Sequence, residues 1–347
     1  MAGSAPNLQI HRFPQPKYID ALKWLPPIAA FDRFIVLSLF DPSSDSSSIE
    51  IQSLSLSTHS PELHLLSTWP SHSRISCLSV CPFFQKPIIA AASLSGSLHF
   101  VVADAIEASI DDGFSVEDKG FHRAGVFSID LQSSTCECVS AGEDGRINLS
   151  KIEGSRVVYG TVFDGKGLVS YTSARWASPW EFATGGLGFG VQFWDQRKPG
   201  GPVSQSPAKW IEGSSSGIVH SLDIHPSRKH ICVVGGSGGT VFAWDLRWQK
   251  QPVMLCGGGT ADPMAEGEVW KVQYDHYSQS ANPSTQIPPV MMCSDDGILA
   301  IVEPGEEEPI ELLAEPCAIN GFDIDPQNPS DLICHLEWEE IAILMRP

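Results

Sequence analysis

Two tetrapeptides, Trp194-Asp195-Gln196-Arg197 and Trp244-Asp245-Leu246-Arg247, stand fifty residues apart and close near-identical passages of glycine, turn and alternating apolar residues. Alternation of apolar and polar residues is the period of a half-buried strand. Self-similarity at a period of roughly 40–50 residues marks a repeat architecture, in which one supersecondary unit cannot bury its apolar faces alone. Short strands joined by Gly/Asp/Asn/Ser turns at that period predict four-stranded antiparallel blades around a common axis, a β-propeller. The clearest unit has strands at 218–224 and 230–234, a tight turn at 235–239 and a third strand at 240–244.

Laid along the chain, this template predicts inner strands at 19–24, 75–80, 126–131, 168–171, 219–224, 269–274 and 319–324, hence seven blades. The turns between second and third strands fall at 45–48, 95–96, 143–145, 187–189, 237–239, 295–297 and 338–339. Asp144-Gly145 and Asp296-Gly297 are hairpin dipeptides, because such turns need positive φ, which Gly and Asp tolerate. The last blade has three strands of its own. Its fourth is expected from 8–13, paired with 341–345, which closes the ring and removes exposed sheet edges. The whole of 1–347 then reads as one seven-bladed WD40 propeller domain. Polar stretches at 104–122, 257–268 and 278–288 are read as loop insertions on the faces of the ring, where function concentrates.

The 22 basic and 41 acidic residues give a net charge of −19. Such a surface repels phosphate backbones, so no direct nucleic-acid partner is expected. The first twenty residues lack a signal-peptide core, and no apolar run is long enough to span a bilayer, so no membrane insertion is expected. Nine cysteines, an odd number spread over predicted strands, are read as reduced thiols. Cys136 and Cys138 would lie on one side of a strand, but no second Cys or His pair stands at zinc-site spacing, so no metal is expected.

Several motifs imitate chemistry. Gly235-Gly236-Ser237-Gly238-Gly239 and Gly213-Ser214-Ser215-Ser216-Gly217 match the G-x-S-x-G pattern of a nucleophile elbow. An elbow needs a helix after the serine, and here a strand follows Gly239, so no catalytic residue is assigned. The glycine-rich 185–190 lacks the Lys-Ser/Thr pair and helix that hold phosphate, so no cofactor is assigned. Asp295-Asp296 and Glu306-Glu307-Glu308 lack the spaced oxygen ligands of a calcium loop.

Asp144, Gly145, Trp194, Asp195, His220, Trp244 and Asp245 are instead read as structural positions of WD repeats. In such repeats a histidine, a second-strand Ser/Thr, a turn aspartate and a third-strand tryptophan form a hydrogen-bonded chain. With Val234 and Gly238 in the serine and aspartate places, that chain is expected to be broken around His220 and Trp244. The third repeat keeps Asp144 but has no tryptophan at 148–150. Arg197 and Arg247 are candidate partner contacts, since a guanidinium can grip a carboxylate with two bonds. Paired Trp-Asp-x-Arg boxes resemble those of cullin-4 ubiquitin-ligase substrate receptors, although Gly188 and Gly238 replace the turn aspartates of such boxes.

The segment Ser140-Ala141-Gly142-Glu143-Asp144-Gly145-Arg146-Ile147-Asn148-Leu149, the Trp-Asp-x-Arg blades, and Glu268-Val269-Trp270-Lys271-Val272 followed by Cys293-Ser294-Asp295-Asp296-Gly297 together resemble the forty-three-kilodalton WD-repeat nucleoporin family, in a plant-like version. The resemblance is clearest over 126–302. It implies a non-enzymatic scaffold at the nuclear pore, in the nuclear envelope of the nucleus. It further implies a place in the outer-ring Y complex, beside an α-solenoid nucleoporin of the short arm, in support of mRNA and protein transport. The chain departs from the family in lacking its long insertion before the last blade, where this sequence runs compactly from Val302 to Pro347.

Overall fold

The computed structural model describes residues 8–26, 33–56, 61–83, 86–104, 109–154, 156–188, 190–206, 217–225, 227–247, 252–255, 264–278, 287–306 and 308–347. Second strands such as Cys138–Gly142 and Ile231–Gly236 are buried along their whole length, so both of their faces need cover. Stacking sheets around an axis provides it. The strands form seven four-stranded antiparallel sheets, which confirms the propeller. The inner strands are Tyr18–Trp24, Ile75–Phe83, Val126–Leu131, Tyr171–Ser178, Val219–Ile224, Val269–Tyr274 and Ile319–Ile324, numbered here as blades one to seven.

Among the described residues there are seven buried apolar clusters, one for each gap between neighbouring blades. The gap between blades seven and one is filled like the rest, with Ile333, Ile341 and Ile343 against Ile19, Leu22 and Leu37. Closure comes from Gln9–Pro14, which pairs with Glu340–Met345 in the register Gln9↔Met345 and Phe13↔Ile341. The N-terminal strand is thus the fourth strand of the last blade, as its sequence predicts.

Every inner strand carries a bulge near its start, between Ile19/Ala21, Ile75/Cys77, Val126/Ser128, Tyr171/Ser173, Val219/Ser221, Val269/Lys271 and Ile319/Gly321. A bulge twists the strand and re-aims its side chain. Here the seven bulged residues ring one mouth of the central channel. We call the face where the inner strands begin the upper face. Antiparallel order puts the second-to-third-strand turns there and puts the third-to-fourth-strand connections on the lower face.

Some boundaries differ from the sequence reading. The fourth inner strand begins at Tyr171 rather than 168, and Leu168 stands in the preceding loop, 88% exposed. The first turn lies at 42–45, where Asp45 takes φ 49°, and the next strand has begun by Ser46. Gly185 and Gly186 belong to the strand Glu181–Gly186, and only glycine fits there, because a Cβ would collide with Val219 at the first and with the Ser170 carbonyl at the second. The stretch 104–122 is not one loop. It contains Ser109–Val116, the outer strand of blade two, and ends in the buried Phe121 and His122. The expected insertions at 257–268 and 278–288 lie largely outside the described residues.

Candidate functional site

Blade three holds the most complete polar tether on the upper face. His122 lies in the loop before the inner strand, with Nδ1 3.1 Å from Asp144 Oδ1 and Nε2 2.9 Å from Ser140 Oγ. A carboxylate only accepts, so in the neutral ring Nδ1 carries the proton and Nε2 accepts from the serine hydroxyl. Asp144 also accepts the N–H of Arg123 at 2.7 Å and that of Arg146 at 3.0 Å. Burial alone would raise the Asp144 pKa; these bonds, His122 foremost, outweigh it and hold the group below 3.8. Gly145 takes φ 73° in the same turn. Ser150 stands in the tryptophan position, and two residues before it Asn148 donates to the Phe121 carbonyl at 2.7 Å.

Blades four and five are tied differently. Trp194 is buried and its indole donates to Thr184 Oγ1 at 2.9 Å, while Gly188 sits in the turn at φ 77°. Trp244 is equally buried, within the apolar cluster between blades four and five. Asp195 and Asp245 end their strands, and each is gripped by the arginine two residues on. Arg197 meets Asp195 with bonds of 2.8 and 3.0 Å, and Arg247 meets Asp245 with bonds of 2.9 and 2.6 Å. Both carboxyls are held below their ordinary value by these arginines, Asp195 at about 2. Both guanidinium forks face a carboxylate of their own loop, on the lower face.

His220 is not in the loop before the fifth inner strand. It is the second residue of that strand, at the channel mouth, with Nε2 2.7 Å from Glu268 Oε2 and its ring 4.6 Å from that of Trp270. The histidine that does sit before an inner strand is His122. Sequence reading placed it at the edge of an insertion, though Gly120-Phe121-His122 followed eighteen residues later by Ser140 carried the signal.

The channel itself reveals a pattern that sequence reading overlooked. Inner strands have an unpaired edge, whose buried N–H groups need acceptors. Ser128, Ser173 and Ser221 accept the N–H of Ala174, Leu222 and Val272 on the next blade at 2.9, 3.0 and 3.2 Å. Two residues after Ser128 and Ser221, Asp130 and Asp223 accept those of Trp176 and Tyr274 at 2.9 Å each, and Asp323, two residues after Gly321, accepts that of Trp24 at 3.0 Å. Arg175 bridges Asp130 and Asp223 at 3.0 and 2.9 Å, and Lys23 meets Asp323 at 2.7 Å. Burial, with Lys23 and Arg175 nearby, pushes Lys271 down to about 7 against the pull of Asp323. Aligned, Ser128-Ile129-Asp130, Ser173-Ala174-Arg175 and Ser221-Leu222-Asp223 repeat this pattern in the sequence. Lys23, Ser128, Ser173, Arg175, Ser221 and Lys271 line a cavity of about 230 Å³, and the charges of Lys23 and Arg175 are spent on the neighbouring aspartates.

The motifs that imitate chemistry have structural partners. Ser237 lies in a strand-to-strand turn, and its Oγ accepts the Ile218 N–H at 2.8 Å. The second G-x-S-x-G match lies outside the described residues except for Gly217. Asp296 accepts the N–H of Glu266 at 2.8 Å. Cys136 and Cys138 do not share a strand: Cys136 lies in the turn before it, at φ 52°, with its sulfur 3.0 Å from that of Cys81 in blade two. Among the described residues no three His, Cys, Asp or Glu side chains are grouped as a metal ion requires, and no helix is long and apolar enough to cross a membrane.

No family profile matches the chain. It is 52% identical over 357 aligned residues to the Nuclear pore complex protein NUP43 of Arabidopsis thaliana, with 98% of each chain covered. It is 28% identical over 163 residues to human Nucleoporin Nup43 and 27% identical over 164 to the mouse protein. Each of these matches covers 47% of this chain and 38% of the mammalian one. A ring of seven blades with its polar groups turned to holding the ring, and near-full-length identity above one half, lead to one conclusion: the chain belongs to the Nup43 family of nuclear pore complex proteins.

Proposed function

We propose that this protein is a non-enzymatic scaffold subunit of the nuclear pore complex, seated in the outer-ring Y complex beside an α-solenoid nucleoporin. It thereby supports mRNA and protein transport through the nuclear envelope. The observation that carries this reading is the 52% identity, over nearly the whole of both chains, with a nuclear pore complex protein. The fold agrees with a binding role. The serine that imitates a nucleophile accepts a turn hydrogen bond, and the channel cations face channel carboxylates.

Affinity purification of the tagged full chain from a nuclear-envelope fraction tests the proposal. Recovery of outer-ring nucleoporins in stoichiometric amount is expected; a diffuse protein that recovers none of them rejects it. We also propose that 1–347 folds as one cooperative unit, because the N-terminal strand and last blade share a sheet. Removal of residues 1–14 should then lower the melting temperature of the entire ring in one transition. Loss of a single blade, with the rest melting unchanged, contradicts it.

A further inference from the structure

The upper face divides into two unlike arcs. Over blades two to four, Leu94, Leu168, Val169 and Leu187 reach solvent from neighbouring loops, and Phe127 from the channel mouth. Leu168 is 88% exposed and Leu187 56%. The loops adjoin: Leu187 N–H donates to the Ser170 carbonyl, and Leu94 stands against Gly125, just before the strand that carries Phe127. The seven inter-blade clusters do not use these side chains. Adjoining exposed apolar groups of this size mark an interaction surface.

Over blades six and seven the same face is acidic. Glu266, Asp295 and Glu337 are exposed and Glu268 is half-buried, while the carboxylate of Glu315 is paired with Arg12. Their loops are linked, with Asp295 N–H donating to Glu268 O at 2.9 Å, Glu315 to Gly297 O at 2.9 Å and Glu337 to Ala318 O at 3.0 Å. Among these carboxylates Trp338 is 65% exposed. The two arcs meet at the channel mouth, lined by Phe127, His220 and Trp270, and the Trp270 indole donates to Asp295 Oδ1 at 3.2 Å.

We infer that the upper face docks a protein segment with an apolar half lying over blades two to four and a Lys/Arg-rich half lying over blades six and seven. The inference rests on the reading of this protein as a binding scaffold and adds the face and the chemistry of its partner. Apolar contact supplies the holding energy, while charge complementarity fixes direction and speeds encounter. Trp338 offers a ring face on which a guanidinium or ammonium can rest. The acidic arc repels a phosphate backbone. A two-fold contact between upper faces would set the same patch against itself and bring carboxylates together, which disfavours a second copy.

The test uses the full chain and a labelled synthetic peptide with a Leu/Phe-rich half and a Lys/Arg-rich half, compared with a twin in which Glu replaces Lys and Arg. Saturable binding of the basic peptide is expected, with the twin at least about tenfold weaker. The double variants Leu168→Ser/Leu187→Ser and Asp295→Asn/Glu337→Gln should each weaken binding by about tenfold or more. A control removes two charges elsewhere, Glu62→Gln/Glu153→Gln, and should change it less than about twofold, since both side chains are exposed away from the upper face. Unchanged melting temperatures show that the variants fold. Absence of binding, equal binding of the twin, or equal loss in the control overturns the inference. So does a concentration-dependent dimer abolished by Leu168→Ser/Leu187→Ser, which would give the apolar arc to a second copy. If wild-type protein recovers nucleoporins while the peptide fails, this inference alone falls; if it recovers none, the scaffold reading falls.

Discussion

Blades three and five do the same job with opposite materials. In blade three, His122, Ser140 and Asp144 lash the loop before the inner strand to the turn between the second and third strands. Blade five has Val234 and Gly238 in the corresponding places. There the turn reaches the residue just before the inner strand through Ser237, whose N–H donates to the Ile218 carbonyl at 3.0 Å and whose Oγ accepts the Ile218 N–H. The burden passes to Trp244, buried with Phe242 and Leu222. Blade three lacks the tryptophan and blade five the histidine, serine and aspartate. One tether is directional and titratable; the other is apolar and indifferent to pH. A full set of signature residues is therefore unnecessary in any single blade, provided each turn finds some partner.

The comparison breaks most visibly at Trp244. Trp244→Ala empties a fully buried site, and loss of a buried tryptophan costs about 3–5 kcal/mol; a urea melt should show a fall of that size. A cost under about 1 kcal/mol would mean that blade five is not held by packing. Asp144→Ala comes next. It strands the buried His122 ring and two backbone N–H groups, one of them exposed, and leaving a buried donor unsatisfied costs about 1–3 kcal/mol. The same melt at neutral pH measures it, with Asp144→Asn expected to lie between.

A pH series sharpens the contrast. Asp144 has a folded pKa below its ordinary 3.8, so it binds fewer protons in the folded state than in the unfolded one. Its contribution is complete above the ordinary aspartate range and is lost as pH falls through the lower folded value. The gap in stability between wild type and Asp144→Ala should therefore narrow in acid. The gap for Trp244→Ala should not, because what is lost there is apolar packing. Parallel gaps for the two variants would mean that the ionised state of Asp144 is not what ties the turn.

Local patterns made the ring legible before any coordinates. Seven inner strands followed from alternation, and Asp144-Gly145 and Asp296-Gly297 placed hairpins whose glycines do take φ 73° and 85°. What escaped was long-range. Arg175 finds Asp130 and Asp223 on the flanking blades, 45 and 48 residues away, and no window on the sequence contains both ends. His122 was hidden for the same reason, since its partners lie 18 and 22 residues on, while His220 stood nearer to a complete-looking blade and drew attention. Leu168 looked like strand because apolar residues usually seek cover, and here one did not. The upper face that it helps to form is a property of loops from three blades.

The smallest expected effect concerns the feature that first revealed the repeat. Arg197 and Arg247 each grip the carboxylate two residues before them, yet their side chains are 57% and 60% exposed. Exposed ion pairs contribute about 0–1 kcal/mol, because solvent screens them and ordering a long side chain costs entropy. Arg197→Ala and Arg247→Ala should each leave stability nearly unchanged. Thermal melts of the two variants measure this, and a marked loss would show that the lower-face loops depend on these pairs. The tryptophan and aspartate of each box are buried or half-buried and belong to the blade. The arginine is held by its own loop, so in stability terms it is the part of the box that either blade can best spare.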